Sequence, residues 1–125
     1  MSNFTLPKSK KLTGDIRVQR VFSAGKSCVA YPLRVCFLQT EPKDEPVQIL
    51  VGVPKKMFKR AVKRNALKRL MREAYRLNQQ QLLDLCAERN IGLEIAFTYI
   101  TNTEIDFSTM QKAMKKAMKK IIVSC

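Results

Sequence analysis

The 125-residue chain contains no histidine, so it lacks the side chain that most often transfers protons near neutral pH. Acidic residues are also few, ten against 24 lysines and arginines, and they are scattered along the chain. Only Asp84 and Glu88 are spaced to share a helix face, and we interpret that pair as a solvated surface rather than as a two-metal site. The sequence therefore predicts neither a catalytic side chain nor a metal site in this chain.

Glycine and cysteine are sparse as well. The four glycines are not clustered, which excludes a glycine-rich phosphate-binding loop. The four cysteines, at positions 28, 36, 86 and 125, include no Cys-x-x-Cys pair, so a structural zinc site is not expected. We interpret Cys28, Cys36 and Cys86 as small apolar residues in a reducing compartment rather than as disulfide partners.

Long apolar runs are missing too. No uninterrupted apolar segment is long enough to span a bilayer, and the N-terminal residues have neither the apolar stretch nor the cleavage site of a secretion signal. We therefore expect a cytoplasmic protein that has no membrane partner.

Positive charge is what the chain has in excess. Lysine and arginine outnumber the acids by 14, and self-repulsion of this size is tolerated when a polyanion neutralises it. Apolar residues make up 46% of the chain, too many for a disordered basic tail and enough for a packed core. We expect a single domain over residues 1–125 that binds nucleic acid, with residues 1–12 forming an extended basic N-terminal segment.

The charge is densest at residues 55–76, which hold ten of the basic residues and a single acid, Glu73. Residues 59–78 have the periodicity of a helix with an apolar side and a basic side. The apolar arc is predicted to contain Val62, Ala66, Leu67, Leu70, Met71, Ala74 and Leu77. The opposite half is predicted to contain Ala61, Arg64, Asn65, Lys68, Arg69, Arg72, Tyr75 and Arg76. Such a helix is typical of nucleic-acid binding.

Phosphate contacts are predicted on this helix and just before it. The cations of the basic side repel one another, and only Glu73 is near enough in sequence to offset them. We therefore favour RNA contact over a merely solvated face for Arg64, Lys68, Arg69 and Arg72. Asn65 can donate to a phosphate and accept from a 2′-hydroxyl. Lys55 and Lys56 precede the helix, where backbone N–H groups also favour anions.

The remaining pattern predicts an α+β domain in which helices pack on one sheet. A first helix starts at a Thr13 cap and ends at Gly25, with apolar positions at Ile16, Val18, Val21 and Phe22. Two or three strands are predicted before the basic helix, over residues 26–39 and 47–53, and another over residues 91–100. A short helix over residues 79–88 precedes the last strand. A final helix, capped by Asp106 or Ser108, has a methionine-rich apolar stripe.

Two segments resemble the signature of the bacterial ribonuclease P protein subunit. Residues 51–56 read Val-Gly-Val-Pro-Lys-Lys, and residues 61–76 read Ala-Val-Lys-Arg-Asn-Ala-Leu-Lys-Arg-Leu-Met-Arg-Glu-Ala-Tyr-Arg. The family pattern is a strand ending in Lys-Lys, a short turn, and a helix with Arg-Asn-Arg followed by Lys-Arg. Residues 12–27 and 91–99 resemble the family's first helix and fourth strand. One position departs from the pattern, since Ala66 replaces the second arginine, and helical periodicity places Ala66 in the apolar arc.

The resemblance implies a fold like the second domain of ribosomal protein S5, a mostly antiparallel sheet with a left-handed β-α-β crossover through the basic helix. It implies that the chain binds the catalytic RNA of ribonuclease P, with no protein partner required, and precursor tRNA. That RNA then removes the 5′ leader by hydrolysis with Mg²⁺. The RNA-binding positions that match the family are Lys55, Lys56, Lys59, Arg64, Asn65, Lys68, Arg69 and Arg72.

The family also implies a cleft in which unpaired leader nucleotides stack on aromatic rings. The matching positions in this chain are Val18, Phe22, Tyr31 and Cys36. By residue type alone, Phe22 and Tyr31 are ordinary core residues, so a place in the core and a place in the cleft both stay open.

Two other functions compete with this interpretation. A structural or ribosomal RNA-binding protein would keep the basic helix but would have no role in tRNA processing. A membrane-surface protein would need large aromatic residues on the apolar side of that helix, where this chain has valine, leucine, methionine and alanine.

Overall fold

The computed structural model describes residues 15–125. The predicted extended segment, residues 1–12, and the predicted cap Thr13 lie outside the described residues. In chain order the elements are α1 (Asp15–Ala24), β1 (Lys26–Ala30), β2 (Leu33–Thr40), β3 (Val47–Gly52), α2 (Ala61–Asn78), α3 (Gln80–Arg89), β4 (Gly92–Tyr99) and α4 (Phe107–Ser124). Within this part of the chain, no helix combines the length and the apolar character needed to cross a membrane.

One four-stranded sheet, in the order β1-β2-β4-β3, forms the centre of the fold. β2 pairs antiparallel with β1 and with β4, whereas β3 pairs parallel with β4. Parallel neighbours need a crossover from one end of the sheet to the other, and α2 and α3 form that connection. The predicted α+β class and mostly antiparallel sheet are confirmed. The left-handed sense of the crossover stays a prediction.

The single strand predicted over residues 26–39 is wrong, because a hairpin divides it. Tyr31 and Pro32 join β1 to β2, and Ala30 pairs directly with Leu33. Proline has no N–H to donate to a sheet ladder, which favours a turn here over a continuing strand. The apolar alternation runs through the turn without a break, so periodicity alone concealed it. As a result, Tyr31 is 67% exposed instead of sharing a face with the residues of β2.

The main core lies between one face of the sheet, here termed the core face, and α2, α3 and α4. Its buried strand residues are Leu33, Val35, Phe37, Val47, Ile49, Val51, Leu93, Ile95, Phe97 and Tyr99. On α4 the predicted stripe is confirmed, since Met110, Met114 and Met118 are fully buried. The predicted cap is confirmed as well, because the Asp106 carboxylate accepts a hydrogen bond from the Thr109 N–H at 2.8 Å.

The opposite face of the sheet, here termed the second face, carries α1. A small cluster formed by Val21, Cys36 and Ala96 lies under this helix, and Val18 packs at its edge. These side chains are small, so they let the helix approach the sheet closely but bury little apolar area. Apolar packing therefore contributes only modestly to the attachment of α1 to the sheet.

The two ends of α1 differ from each other in how well they were predicted. Gly25 follows the helix as expected, because a Cβ there would collide with the carbonyl oxygens of Val21 and Phe37. At the other end the apolar assignment of Ile16 is wrong, since that residue is 82% exposed. Only one side of a short helix meets the sheet, and Ile16 lies away from it.

A buried carboxylate on the second face supplies the rest of the attachment of α1. Glu94 in β4 is fully buried, and three cations reach it: Arg17 Nη2 and Lys43 Nζ at 2.7 Å, and Arg20 Nη2 at 3.4 Å. Arg17 also donates a hydrogen bond to Gln48 in β3. We term these residues the Glu94 network. It joins α1 to two strands and to the loop between β2 and β3.

The Glu94 network also makes the stability of the fold depend on pH. Burial alone would raise the pKa of the Glu94 carboxyl, but hydrogen bonds and charge from Lys43 and Arg17 hold that pKa below its ordinary value of 4.5. A carboxyl whose pKa is lower in the folded state stabilises the fold above its unfolded-state pKa. This contribution is lost as the pH falls through the folded-state pKa.

We predict that Glu94→Gln lowers the free energy of unfolding by about 2 kcal/mol at pH 7, less than for a fully buried pair because the three cations are partly exposed. Urea denaturation measures this change. The matched control Glu104→Gln removes an exposed ion pair with Lys63 and should cost less than about 0.5 kcal/mol.

Acid titration provides the second readout of this prediction. The difference in the free energy of unfolding between the natural chain and the Glu94→Gln variant should shrink as the pH falls from 4.5 through the lower folded-state pKa of Glu94. A difference that is constant over this range, or an equal loss in the control, would contradict the role of the Glu94 charge.

Candidate nucleic-acid interface

The helix α2 carries the predicted basic side, but it is rotated from the predicted orientation. Its buried residues are Leu67, Met71, Glu73, Ala74, Tyr75 and Asn78. Val62, Ala66 and Leu77 of the predicted apolar arc are exposed, and Tyr75, assigned to the basic half, is buried. The buried side is therefore turned by roughly 60° about the helix axis.

Tyr75 explains the direction of this rotation. Its ring packs against Phe97 on the core face, with the ring centroids 6.2 Å apart. An aromatic ring buries far more apolar area than a valine or an alanine, so the helix turns to place Tyr75 inside. Ala66 consequently lies on the solvent side, and its assignment to the apolar arc is wrong.

Unpaired cations line the solvent side of α2 and the loop before it. Asn65 and Arg69 are exposed, whereas Lys68 and Arg72 are half-buried. Burial lowers the pKa of the Arg72 guanidinium. Lys55, Lys56 and Lys59 are exposed in the loop over residues 53–60. Among residues 15–125, no carboxylate forms an ion pair with any of these cations.

The N-terminus of α2 adds backbone donors to this surface. No side chain caps the helix at Arg60, and its first turn contains no acid. The first N–H groups of a helix have no partner within the helix, and they attract anions. Together with the lysines of the preceding loop, they form a surface suited to phosphate groups.

Arg64 differs from the other predicted RNA-binding residues, because it holds the loop before α2. Its Nη1 donates hydrogen bonds to the carbonyl oxygens of Phe58 at 2.9 Å and of Lys59 at 2.8 Å. Phe58 is itself buried, with its ring 6.0 Å from that of Tyr99. The sequence analysis missed this anchor, although an isolated aromatic residue among lysines was a usable signal.

The acids near this surface neutralise cations that lie outside it. Glu73 offsets one cation of the predicted basic half, because its carboxylate pairs with Arg76 at 2.6 Å, and Arg76 is not among the predicted RNA-binding residues. Glu104 pairs with Lys63, also at 2.6 Å. The positive charge of the predicted RNA-binding positions is thus left without a counter-charge in the described part of the chain.

The four predicted cleft residues divide into two pairs, one packed under α1 and one with exposed rings. Val18 and Cys36 pack in or against the small cluster beneath α1. Phe22 is 49% exposed and Tyr31 is exposed in the hairpin turn, so neither belongs to the core. At Gly52, the last residue of β3, the second face is open, because a Cβ there would meet no atom within 4 Å. An exposed ring beside an open sheet surface is suited to stacking against a base.

Comparison of the sequence with known proteins identifies a family. Residues 6–122 match the family described as Ribonuclease P. A ribonuclease P protein component from Porphyromonas gingivalis is 45% identical over 121 residues, which cover 96% of this chain and 88% of that protein. A ribonuclease P protein component from Chlorobium phaeobacteroides is 35% identical over 131 residues, covering 96% of this chain and 90% of that protein.

Solved structures share the fold. The RNase P protein from Staphylococcus aureus superimposes with a TM-score of 0.69 at 18% identity, covering 91% of this chain and 96% of that one. The RNase P protein from Thermotoga maritima gives a TM-score of 0.68 at 21% identity, covering 88% of this chain and 96% of that one. At these identities the likeness concerns the arrangement of strands and helices alone.

We predict that Arg64→Ala and Arg69→Ala separate in their effect on stability. Arg64→Ala should lower the free energy of unfolding by about 1 kcal/mol, because two loop carbonyls lose a charged donor. Arg69→Ala should change it by less than about 0.5 kcal/mol, because the Arg69 side chain is exposed. Urea denaturation measures both variants. Equal stabilities would show that Arg64 does not hold the loop in solution.

Proposed function

This chain belongs to the ribonuclease P protein family, and on that premise we propose that it is the protein component of a ribonuclease P holoenzyme. It takes part in the removal of the 5′ leader from precursor tRNA. The family match over residues 6–122 carries this proposal, and the unpaired basic surface of α2 is consistent with it. The alternative of a structural or ribosomal RNA-binding protein explains the basic surface but not the family match.

The chain contributes charge and surface, and the chemistry belongs to the RNA component. The sequence has no histidine to transfer a proton. In residues 15–125 no group of three or more His, Cys, Asp or Glu side chains is placed to hold a metal ion. We assign Mg²⁺, and the hydrolysis that it supports, to the RNA. We place the holoenzyme in the cytoplasm, where its substrate is matured.

The basic surface of α2 and its preceding loop is proposed to bind the catalytic RNA. The contributing residues are Lys55, Lys56, Lys59, Arg64, Asn65, Lys68, Arg69 and Arg72. Their support is the absence of any carboxylate paired with these cations within the described residues, together with the uncapped start of the helix. Arg64 retains donors beyond the Nη1 atom that binds the loop, so it can serve both the fold and a phosphate.

The second face is proposed to bind the leader of precursor tRNA. Phe22 presents an exposed ring on α1, and Tyr31 presents one in the hairpin turn after β1. Cys36 of the sheet packs with Val21 of α1, and Val18 packs against that cluster, so these contacts fix where Phe22 lies. α1 and α2 pack on opposite faces of the sheet, so leader and catalytic RNA can be bound together. No further protein is needed for either contact.

Reconstitution tests the proposed function. The purified chain alone should not cleave precursor tRNA at any Mg²⁺ concentration. Added to the catalytic RNA at low Mg²⁺, it should restore cleavage, because its charge reduces the repulsion between phosphates that Mg²⁺ otherwise screens. Arg69→Ala should weaken the binding of the chain to the catalytic RNA by roughly 1 kcal/mol, so a higher protein concentration should be needed to restore cleavage. Cleavage by the RNA-free chain would refute the assignment of the chemistry to the RNA.

A substitution in α1 tests the leader site. Phe22→Ala should weaken the binding of leader-bearing tRNA by the holoenzyme by roughly 1 kcal/mol, because one stacked base loses its ring. Binding of mature tRNA should not change. Ile16→Ala is the matched control, since it removes another exposed apolar side chain from the same helix. Equal weakening of both tRNAs, or the same effect in the control, would exclude stacking on Phe22.

A further inference from the structure

The solvent side of α4 is a second strongly basic surface, separate from that of α2. The helix carries five lysines and no acid. All five are exposed and lie opposite the buried methionine stripe: Lys112, Lys115, Lys116, Lys119 and Lys120. Lys120 donates to the carbonyl oxygen of Val29. We term the other four the α4 lysine face.

The α4 lysine face forms no ion pair within residues 15–125. Its one weaker interaction with an acid is with Asp106, whose pKa is lowered mainly by hydrogen bonds from Thr109 and in part by the charge of Lys112. The ion pairs in this part of the chain use Glu94, Glu73 and Glu104, and their cationic partners lie in α1, α2 and the loop between β2 and β3. None of these pairs involves a lysine of α4. The fold thus neutralises cations elsewhere and leaves this helix fully charged.

Helix physics does not account for so many lysines at these positions. Like charges three and four residues apart destabilise a helix, and the face contains several such pairs. The favourable place for a cation is the last turn, and that turn of α4 contains no basic residue. The five lysines over the nine residues 112–120 amount to about one charge per 2.7 Å of helix axis. A nucleic-acid duplex carries about one phosphate per 1.7 Å, a comparable density of opposite sign.

The position of α4 indicates which RNA would meet it. α4 packs beside α2 on the core face, whereas α1 and the proposed leader site lie on the second face. A leader strand bound at Phe22 is therefore on the far side of the sheet from the α4 lysine face. We propose that this face binds phosphates of the catalytic RNA, extending the contact made by α2. The proposal rests on the proposed function of the chain.

Amine modification locates the contact without any substitution. The chain is acetylated alone, with catalytic RNA, and with precursor tRNA, and the rate at each lysine is read by mass spectrometry. Catalytic RNA should slow the modification of the α4 lysine face at least about five-fold. Lys55, Lys56 and Lys59 should be slowed as well. Lys43, which lies in the Glu94 network on the second face, is the internal control and should be unaffected.

The pattern of protection separates this proposal from the proposed function. Protection of the loop lysines without protection of α4 would overturn the α4 surface and leave the proposed function standing. Protection of neither set would overturn both. Protection of α4 by precursor tRNA but not by catalytic RNA would assign the surface to the substrate and overturn the proposal.

Substitution measures the strength of the contact. Changing the four residues of the α4 lysine face together to glutamine should weaken binding to the catalytic RNA at least about ten-fold near physiological salt. The log–log salt dependence should become shallower by about 3 units. Changing the same four to arginine keeps the charge and should preserve affinity within about two-fold. An unchanged affinity and slope in a glutamine variant of normal circular dichroism would overturn the proposal.

Discussion

The burial of Glu94 is the constraint on which the second face depends. β4 lies between β2 and β3, with α2, α3 and α4 on the core face and α1 on the second face, so nearly all of its side chains are buried. A carboxylate in that position must be neutralised, because a buried charge without partners is far too costly. Arg17 and Arg20 meet this need only if α1 docks with one particular side towards the sheet. The same docking turns Val21 inwards and leaves its neighbour Phe22 at the surface.

Charge pairing in the fold decides where the positive charge of the chain remains available. Ten acids cannot offset 24 cations, and the three most involved in the described residues take up cations of α1, the β2–β3 loop and two positions of α2. What is left is concentrated on the helix layer of the core face. The unpaired positive charge is therefore confined to particular surfaces instead of being spread evenly over the protein. A localised positive surface can orient a bound polyanion.

Much of the fold could be predicted because its apolar patterns are long and regular. The methionine stripe of α4, the alternation of β4 and the span of α2 were all of this kind. Two predictions were wrong because a local apolar pattern does not show which residues pack against each other in the fold. Alternation cannot reveal a turn at Pro32 when apolar residues continue through it, and a helical wheel weighs Val62 like Tyr75 although the ring buries more area. The Glu94 network depends on contacts between distant segments, which no local pattern contains.

The spacing of the basic motif has a structural cause as well as a proposed functional one. β3 ends at Gly52, and the chain must turn before α2 begins at Ala61. The Phe58 side chain anchors the turn in the core. The backbone carbonyl groups of Phe58 and Lys59 lie between β3 and α2, outside the hydrogen-bonded strands of the sheet. Arg64, one turn into α2, reaches back to both carbonyls and so fixes the loop that displays the neighbouring lysines. A lysine has one ammonium group in place of a forked guanidinium, so arginine is the better residue for a position that must hold a loop and still offer donors to a phosphate.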